Sequence, residues 1–171
     1  LSVIIGIDPG SRVTGYGVIR ANDRRLEGIA CGVIDLDENE PLPYRLNELA
    51  VHLRAIFKEH RPTQVAVEKI FLGKNAASAF TLGHARGVCL QIAAEFNAEV
   101  FEYATRSVKK TVTGSGAAEK EQVKTVVEGM LKMRCPYLDA SDALAVAIAH
   151  SYSDTMMLRS MKVKQTKEIE L

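Results

Sequence analysis

Up to residue 35 the chain is written in short apolar runs separated by turn residues, and from residue 45 its apolar positions recur at helical spacing. Residues 3–8 (VIIGID) have the continuous apolar character of a fully buried strand. Residues 14–20 (TGYGVIR) and 28–35 (GIACGVID) read as two more strands. The first junction is Asp8-Pro9-Gly10-Ser11, where Pro fixes φ and Gly admits positive φ; Asn22-Asp23 marks the second. Three consecutive strands joined so tightly predict an antiparallel meander. Leu46, Leu49, Leu53, Ile56 and Phe57 then mark a helix that Pro62 stops, and Val65-Ala66-Val67 is a short strand ending at Glu68. The spacing predicts a helix over 75–97, a strand over 99–103, a short helix over 107–112 and a flexible loop over 113–117 (TGSGA). An amphipathic helix over 119–132 follows, then a strongly apolar one from Leu138 to about Tyr152. The order β-β-β-α-β-α-β-α-α predicts an α/β protein: a mixed five-stranded sheet, its first three strands antiparallel, with helices on both faces.

A chain of 171 residues fits one compact domain, and such a domain buries roughly two-thirds of its unfolded surface without staples. That domain is assigned to residues 1–155. From Met156 apolar content falls and Lys162, Lys164 and Lys167 dominate, so 156–171 is expected to be a flexible C-terminal tail. The three cysteines, Cys31, Cys89 and Cys135, share no short spacing, which predicts reduced thiols and a cytoplasmic location. Val3-Ile4-Ile5 is broken at once by Gly6 and Asp8, far short of a signal or membrane-spanning stretch, so no membrane partner is expected. Net charge is only +1, but seven Lys or Arg against three Glu lie between Arg106 and Arg134, while Asp35–Glu40 holds four acids and no base. Such a local basic excess suits a negatively charged partner met by one surface; it is equally what two solvated helix faces would show.

Four acids occupy chosen places. Asp8 closes the first strand and Glu68 the fourth; Asp139 and Asp142 lie three apart at the start of the last helix and so share one of its faces. If the first and fourth strands are neighbours, Asp8 and Glu68 emerge side by side, and the helix can bring its pair across them. Two unit charges about 4 Å apart repel by roughly 4 kcal/mol at an effective dielectric near 20. Such a cluster therefore calls for protons or cations, and hard oxygen ligands suit Mg²⁺ or Mn²⁺. Two such ions about 3.5–4 Å apart can activate a water and hold the leaving oxygen of a phosphodiester. Singly, each acid has a plainer role: Asp8 before Pro9 as a turn residue, Glu68 as a strand-end charge, Asp139 or Asp142 as a helix N-cap. Their joint placement is what points to a metal site.

The stretches GIDPGSRVTGYGVI (6–19), VEKIFLGKNAASAFTLGHARG (67–87), EYATRSVKKTVTGSGAAEKEQV (102–123) and DASDALAVAIAH (139–150) resemble, in order, the bacterial RuvC family of Holliday-junction resolvases. The resemblance implies an RNase H-like fold and a structure-selective endodeoxyribonuclease of recombination and repair. It implies a homodimer that makes paired, symmetric nicks across four-way junction DNA, with RuvA and RuvB as partners. It implies Mg²⁺, a pair of ions per site with Mn²⁺ as substitute, held by Asp8, Glu68, Asp139 and Asp142. Some relatives carry His at the position of Asp139. Phe71 matches the aromatic residue that stacks on a base near the crossover, and Lys109 and Lys120 match basic residues that support activity. Lys110 beside them is a candidate phosphate contact by its charge, and each of these lysines taken singly reads equally as a solvated surface charge. Gly73, Thr81 and His84 stand where Ala, Lys and Gln are expected, so DNA contacts there are expected to differ. The helix over 75–97 is a candidate for the dimer face.

Other readings compete. A related nuclease acting on RNA or linear DNA would use the same carboxylates. The GIDPGS loop resembles the first phosphate loop of sugar kinases and actin-like ATPases, which need a second such domain that this chain is too short to hold. A non-catalytic junction binder would be expected to lose an acid. The four histidines show no mutual ligand spacing and read as structural or exposed.

Overall fold

The computed structural model describes residues 2–22, 25–69 and 76–169, with side chains described as far as Asp154. Strand β1 (Ser2–Asp8) pairs antiparallel with β2 (Val13–Asn22), and β2 with β3 (Arg25–Asp35). Helix α1 (Leu42–His60) returns the chain so that β4 (Gln64–Glu68) lies parallel to β1 on its other side. After α2 (Ala76–Glu95), β5 (Glu99–Tyr103) adds parallel to β4. The described strands form one five-stranded sheet in the order β3-β2-β1-β4-β5. The chain then runs through α3 (Thr105–Thr113), α4 (Lys120–Leu131) and α5 (Leu138–Ile169).

The central place of β1 explains why Ile4, Ile5 and Ile7 are apolar without alternation: the strand is covered on both faces. Ile5 and Ile7 point to one face, where Val18 and Val65 meet Leu49, Leu53 and Phe57 of α1 and Cys89 and Ile92 of α2. Ile4 points to the other, where Ile19 and Ala66 meet Val108 and Val112 of α3, Val123 and Val127 of α4, and Leu144 and Ile148 of α5. Helix α5 is wedged between the sheet and α3 and α4. Ala140, Ala143, Leu144, Ala147 and Ile148 are all buried, and that is why its first half is apolar nearly all round. Helix α1 ends with Arg61 in the left-handed region (φ 49°), its N–H returned to the Phe57 carbonyl at 2.9 Å, immediately before Pro62.

Two boundaries differ from the sequence expectation in an instructive way. Helix α5 does not end near Tyr152 but continues to Ile169, into the segment expected as a loose tail. No Gly or Pro follows Pro136, and Met, Leu, Arg, Lys and Gln are strong helix formers, so nothing local terminates it. Helix α3 starts at Thr105 rather than Ser107. The loop after it is ordered by its own bonds: Gly114 adopts φ 82° and closes on the Lys110 carbonyl, and the Thr113 hydroxyl bonds the Lys109 carbonyl at 2.8 Å. Among the described residues no helix is long and apolar enough to cross a membrane.

Candidate active site

Strand parity decides which side chains can meet. Gly6 and Asp8 share the face of β1 that α5 covers, and Asp8 pairs with Gly15 on β2. On the other side Ile7 pairs with Val67, so Asp8 and Glu68 leave neighbouring strand ends together. Helix α5 reaches this corner because two backbone positions carry no side chain. A Cβ on Gly6 would lie 1.8 Å from the Ala143 carbonyl oxygen, and one on Gly15 would lie 2.1 Å from that of Asp139. The helix therefore rests directly on the strands, and its first turns hang Asp139 and Asp142 over Asp8. Both aspartates lie inside α5, which begins at Leu138, so neither serves as its N-cap.

Carboxylate oxygens of Asp8, Asp139 and Asp142 all lie within 4.8 Å of one another. Glu68 lines the same pocket, together with Asp8, Asp142, Thr105, Lys109 and Lys120. It stands outside the close trio, and its Oε1 accepts a hydrogen bond from the Thr105 hydroxyl. Lys120, the first residue of α4, holds its ammonium 2.7 Å from Asp142 and 3.7 Å from Asp139. That contact, first through the Asp142 hydrogen bond, raises the Lys120 pKa above its ordinary value. Burial, followed by the charges of Glu68 and Asp142, lifts the Asp8 carboxyl from 3.8 to about 7.

The donor set fits a divalent cation. It is made of hard carboxylate oxygens, and Lys120, the lysine ion-paired to them, does not neutralise the set. Mg²⁺–O bonds of about 2.1 Å set ligand oxygens no more than roughly 4.2 Å apart, close to the 4.8 Å within which the trio lies.

The other residues singled out from sequence are distributed unevenly. Lys109 lines the pocket and donates to the Ala118 carbonyl at 2.7 Å, tying down the loop before α4. Lys110 is exposed on α3 and does not line the pocket. Phe71 and Gly73 lie outside the described residues. Thr81 bonds the Ala77 carbonyl within α2, and His84 is exposed on that helix. His150 is buried away from the acids, its Nδ1 2.7 Å from the Tyr103 hydroxyl and its ring stacked on Phe101 at 4.2 Å. Thr105 was not legible as a site residue. Its place follows from the β4–β5 register, which pairs Glu68 with Tyr103 and starts α3 just beyond.

The sequence model of the family described as crossover junction endodeoxyribonuclease RuvC matches residues 4–150. The chain is 52% identical over 151 residues to the crossover junction endodeoxyribonuclease RuvC of Bdellovibrio bacteriovorus, covering 88% of this chain and 90% of that protein. It is 46% identical over 160 residues to that of Photorhabdus laumondii, covering 93% and 92%. It superposes on T. thermophilus RuvC in complex with Holliday junction substrate with a TM-score of 0.85 at 30% identity, over 91% of this chain and 96% of that one. A yeast mitochondrial Holliday junction resolvase matches with a TM-score of 0.66 at 14% identity, covering 95% and 85%, a likeness of fold. The mixed sheet with its flanking helices is RNase H-like.

Proposed function

Since the chain belongs to the RuvC family of crossover junction endodeoxyribonucleases, we propose that it resolves Holliday junctions by nicking symmetric strands at an acidic site that holds a pair of Mg²⁺ ions. The observation that carries the site assignment is the approach of Asp8, Asp139 and Asp142 oxygens to within 4.8 Å, from positions far apart in sequence.

Asp8, Asp139, Asp142 and Glu68 are the residues that would hold the ions, with Mn²⁺ able to substitute. Bound there, such ions supply Lewis-acid stabilisation of the phosphodiester and a water acidic enough to attack at neutral pH. The chain's own groups prepare the place. The stack of α5 on β1 and β2 fixes the aspartates, so their positions are set before substrate arrives. Lys120 offsets part of the carboxylate charge in the absence of ions and lines the pocket that an entering phosphate would meet. Lys109 and Lys110 extend the positive rim along α3, where each phosphate contact adds to the salt dependence of binding. Phe71 is the residue assigned to stack on an unpaired base beside the crossover, a contact worth roughly 1–3 kcal/mol.

The same reading makes the working unit a homodimer in the cytoplasm, with the branch-migration proteins RuvA and RuvB as partners. The deciding experiment is a nicking assay on a synthetic four-way junction beside linear duplex and RNA of matched sequence, with Mg²⁺ and then with chelator. Paired nicks on the junction alone, abolished by chelator, are expected. Equal cutting of duplex or RNA would replace this reading with a general nuclease.

A further inference from the structure

Glu68 differs from its three acidic neighbours in how it is held. Asp8, Asp139 and Asp142 are short side chains on rigid backbone, whereas Glu68 has an extra rotatable bond at the very end of β4. A side chain of that length keeps several rotamers unless something pins it. The described contact that pins it is Thr105, whose hydroxyl donates to Oε1. Thr105 is itself well anchored. Glu68 pairs with Tyr103, the next residue Lys69 donates its N–H to the Tyr103 carbonyl at 2.8 Å, and Ala104 caps α3 by accepting the Ser107 and Val108 N–H groups at 2.9 and 3.0 Å. Thr105 therefore stands at a fixed point, partly buried, on the wall of the same pocket.

We propose that Thr105 is a positioning residue: its hydroxyl occupies Oε1 of Glu68, selects one rotamer, and leaves Oε2 as the oxygen presented to a divalent ion. The inference rests on the assignment of Glu68 as an ion ligand. Partners of metal-binding carboxylates of this kind change metal affinity or activity by about 10–100-fold when removed.

The test is direct Mn²⁺ titration of the full chain, followed by the paramagnetic resonance of free Mn²⁺, so that no catalytic readout is needed. Thr105→Val keeps the branched shape and removes the hydroxyl. It should weaken Mn²⁺ binding about tenfold with an unchanged melting temperature, and Thr105→Ser should bind as the wild type does. In a Glu68→Gln background Thr105→Val should add nothing, because its effect passes through Glu68. Should the valine variant fold poorly, Thr105→Ala takes its place under the same criteria. Wild-type binding by the hydroxyl-less variant, while Glu68→Gln binds weakly, would overturn the role of Thr105 and leave Glu68 as a ligand. Wild-type binding by Glu68→Gln would overturn both. Additive weakening in the double variant, or failure of Thr105→Ser to restore binding, would show that the residue acts otherwise.

Discussion

Asp8 is the residue on which the electrostatics of the site converge. Its carboxyl is driven up to about 7, first by burial and then by Glu68 and Asp142, with Lys120 pulling the other way. An unfolded chain releases that proton near 3.8, so between there and neutrality the folded protein binds more protons than the unfolded one. The stability Asp8 contributes is thus present at low pH and is lost as pH rises through about 7. In chelator, the melting temperature of the wild type should fall relative to Asp8→Asn as pH is raised from about 5 to about 8. Adding Mg²⁺ or Mn²⁺ at the higher pH should recover the wild type but not the variant, since the ion then replaces the proton as the neutralising charge. Comparing the two proteins removes the contribution of His150, whose lowered pKa, caused by burial, works in the opposite direction. Melting temperatures that move in parallel across this range would mean that Asp8 does not carry the shifted proton. The same Asp8→Asn variant should bind junction DNA yet fail to nick it, because it removes ligand charge without emptying the site. Gel-shift and nicking assays read these separately, and normal nicking would remove Asp8 from the site.

The element that makes the cluster possible is α5, and what admits it is the absence of side chains beneath it. Gly15→Ala would place a Cβ 2.1 Å from the Asp139 carbonyl, a backbone atom that cannot swing aside. Overpacking of this kind costs about 1–3 kcal/mol, which for a domain of this size lowers the melting temperature by roughly 2–10 °C. Nicking should fall further than stability does, since the displaced turn carries Asp139. A variant with wild-type melting and rates would show that α5 does not rest on β2 here. The strands at 3–8 and 65–68 and the acids that close them were readable because each apolar run ends abruptly at a carboxylate, Asp8 or Glu68. The strand order was not readable from local pattern: only the β1–β4 pairing makes neighbours of Asp8 and Glu68, and only the β4–β5 pairing carries Thr105 to Glu68. The extent of α5 escaped for a different reason. Falling apolar content past Met156 reads as loss of structure, whereas backbone propensity with no breaker keeps the helix going to Ile169. The role of Phe71 stays a matter of motif, outside the described residues.

At the scale of the molecule, the two faces of the sheet carry different tasks. The acidic pocket and its lysines lie on the side of α3, α4 and α5, while α1 and α2 cover the other. A four-way junction presents two equivalent strands about a two-fold axis, so symmetric nicks call for two pockets related by the same symmetry, which an isologous dimer supplies. For the homodimer proposed above, helix α2 is the candidate interface. Phe80 is 73% exposed, and Gly83 and Gly87 follow it at helical spacing; beyond the helix's own backbone, no atom of the described residues lies within 4 Å of where a Cβ would stand on either. An exposed Phe alone means little. Set beside two such gaps, it has somewhere to insert on a second copy of the same helix. Phe80→Asp should therefore yield a monomer by sedimentation that still binds Mn²⁺ with wild-type affinity. On a plasmid-borne cruciform the wild type should convert circles directly to linear molecules, by two cuts in one encounter. The variant should give only slow accumulation of singly nicked circles. A variant that sediments as a dimer, or a monomer that still linearises the plasmid in one encounter, would mean that paired cutting does not depend on this face of α2.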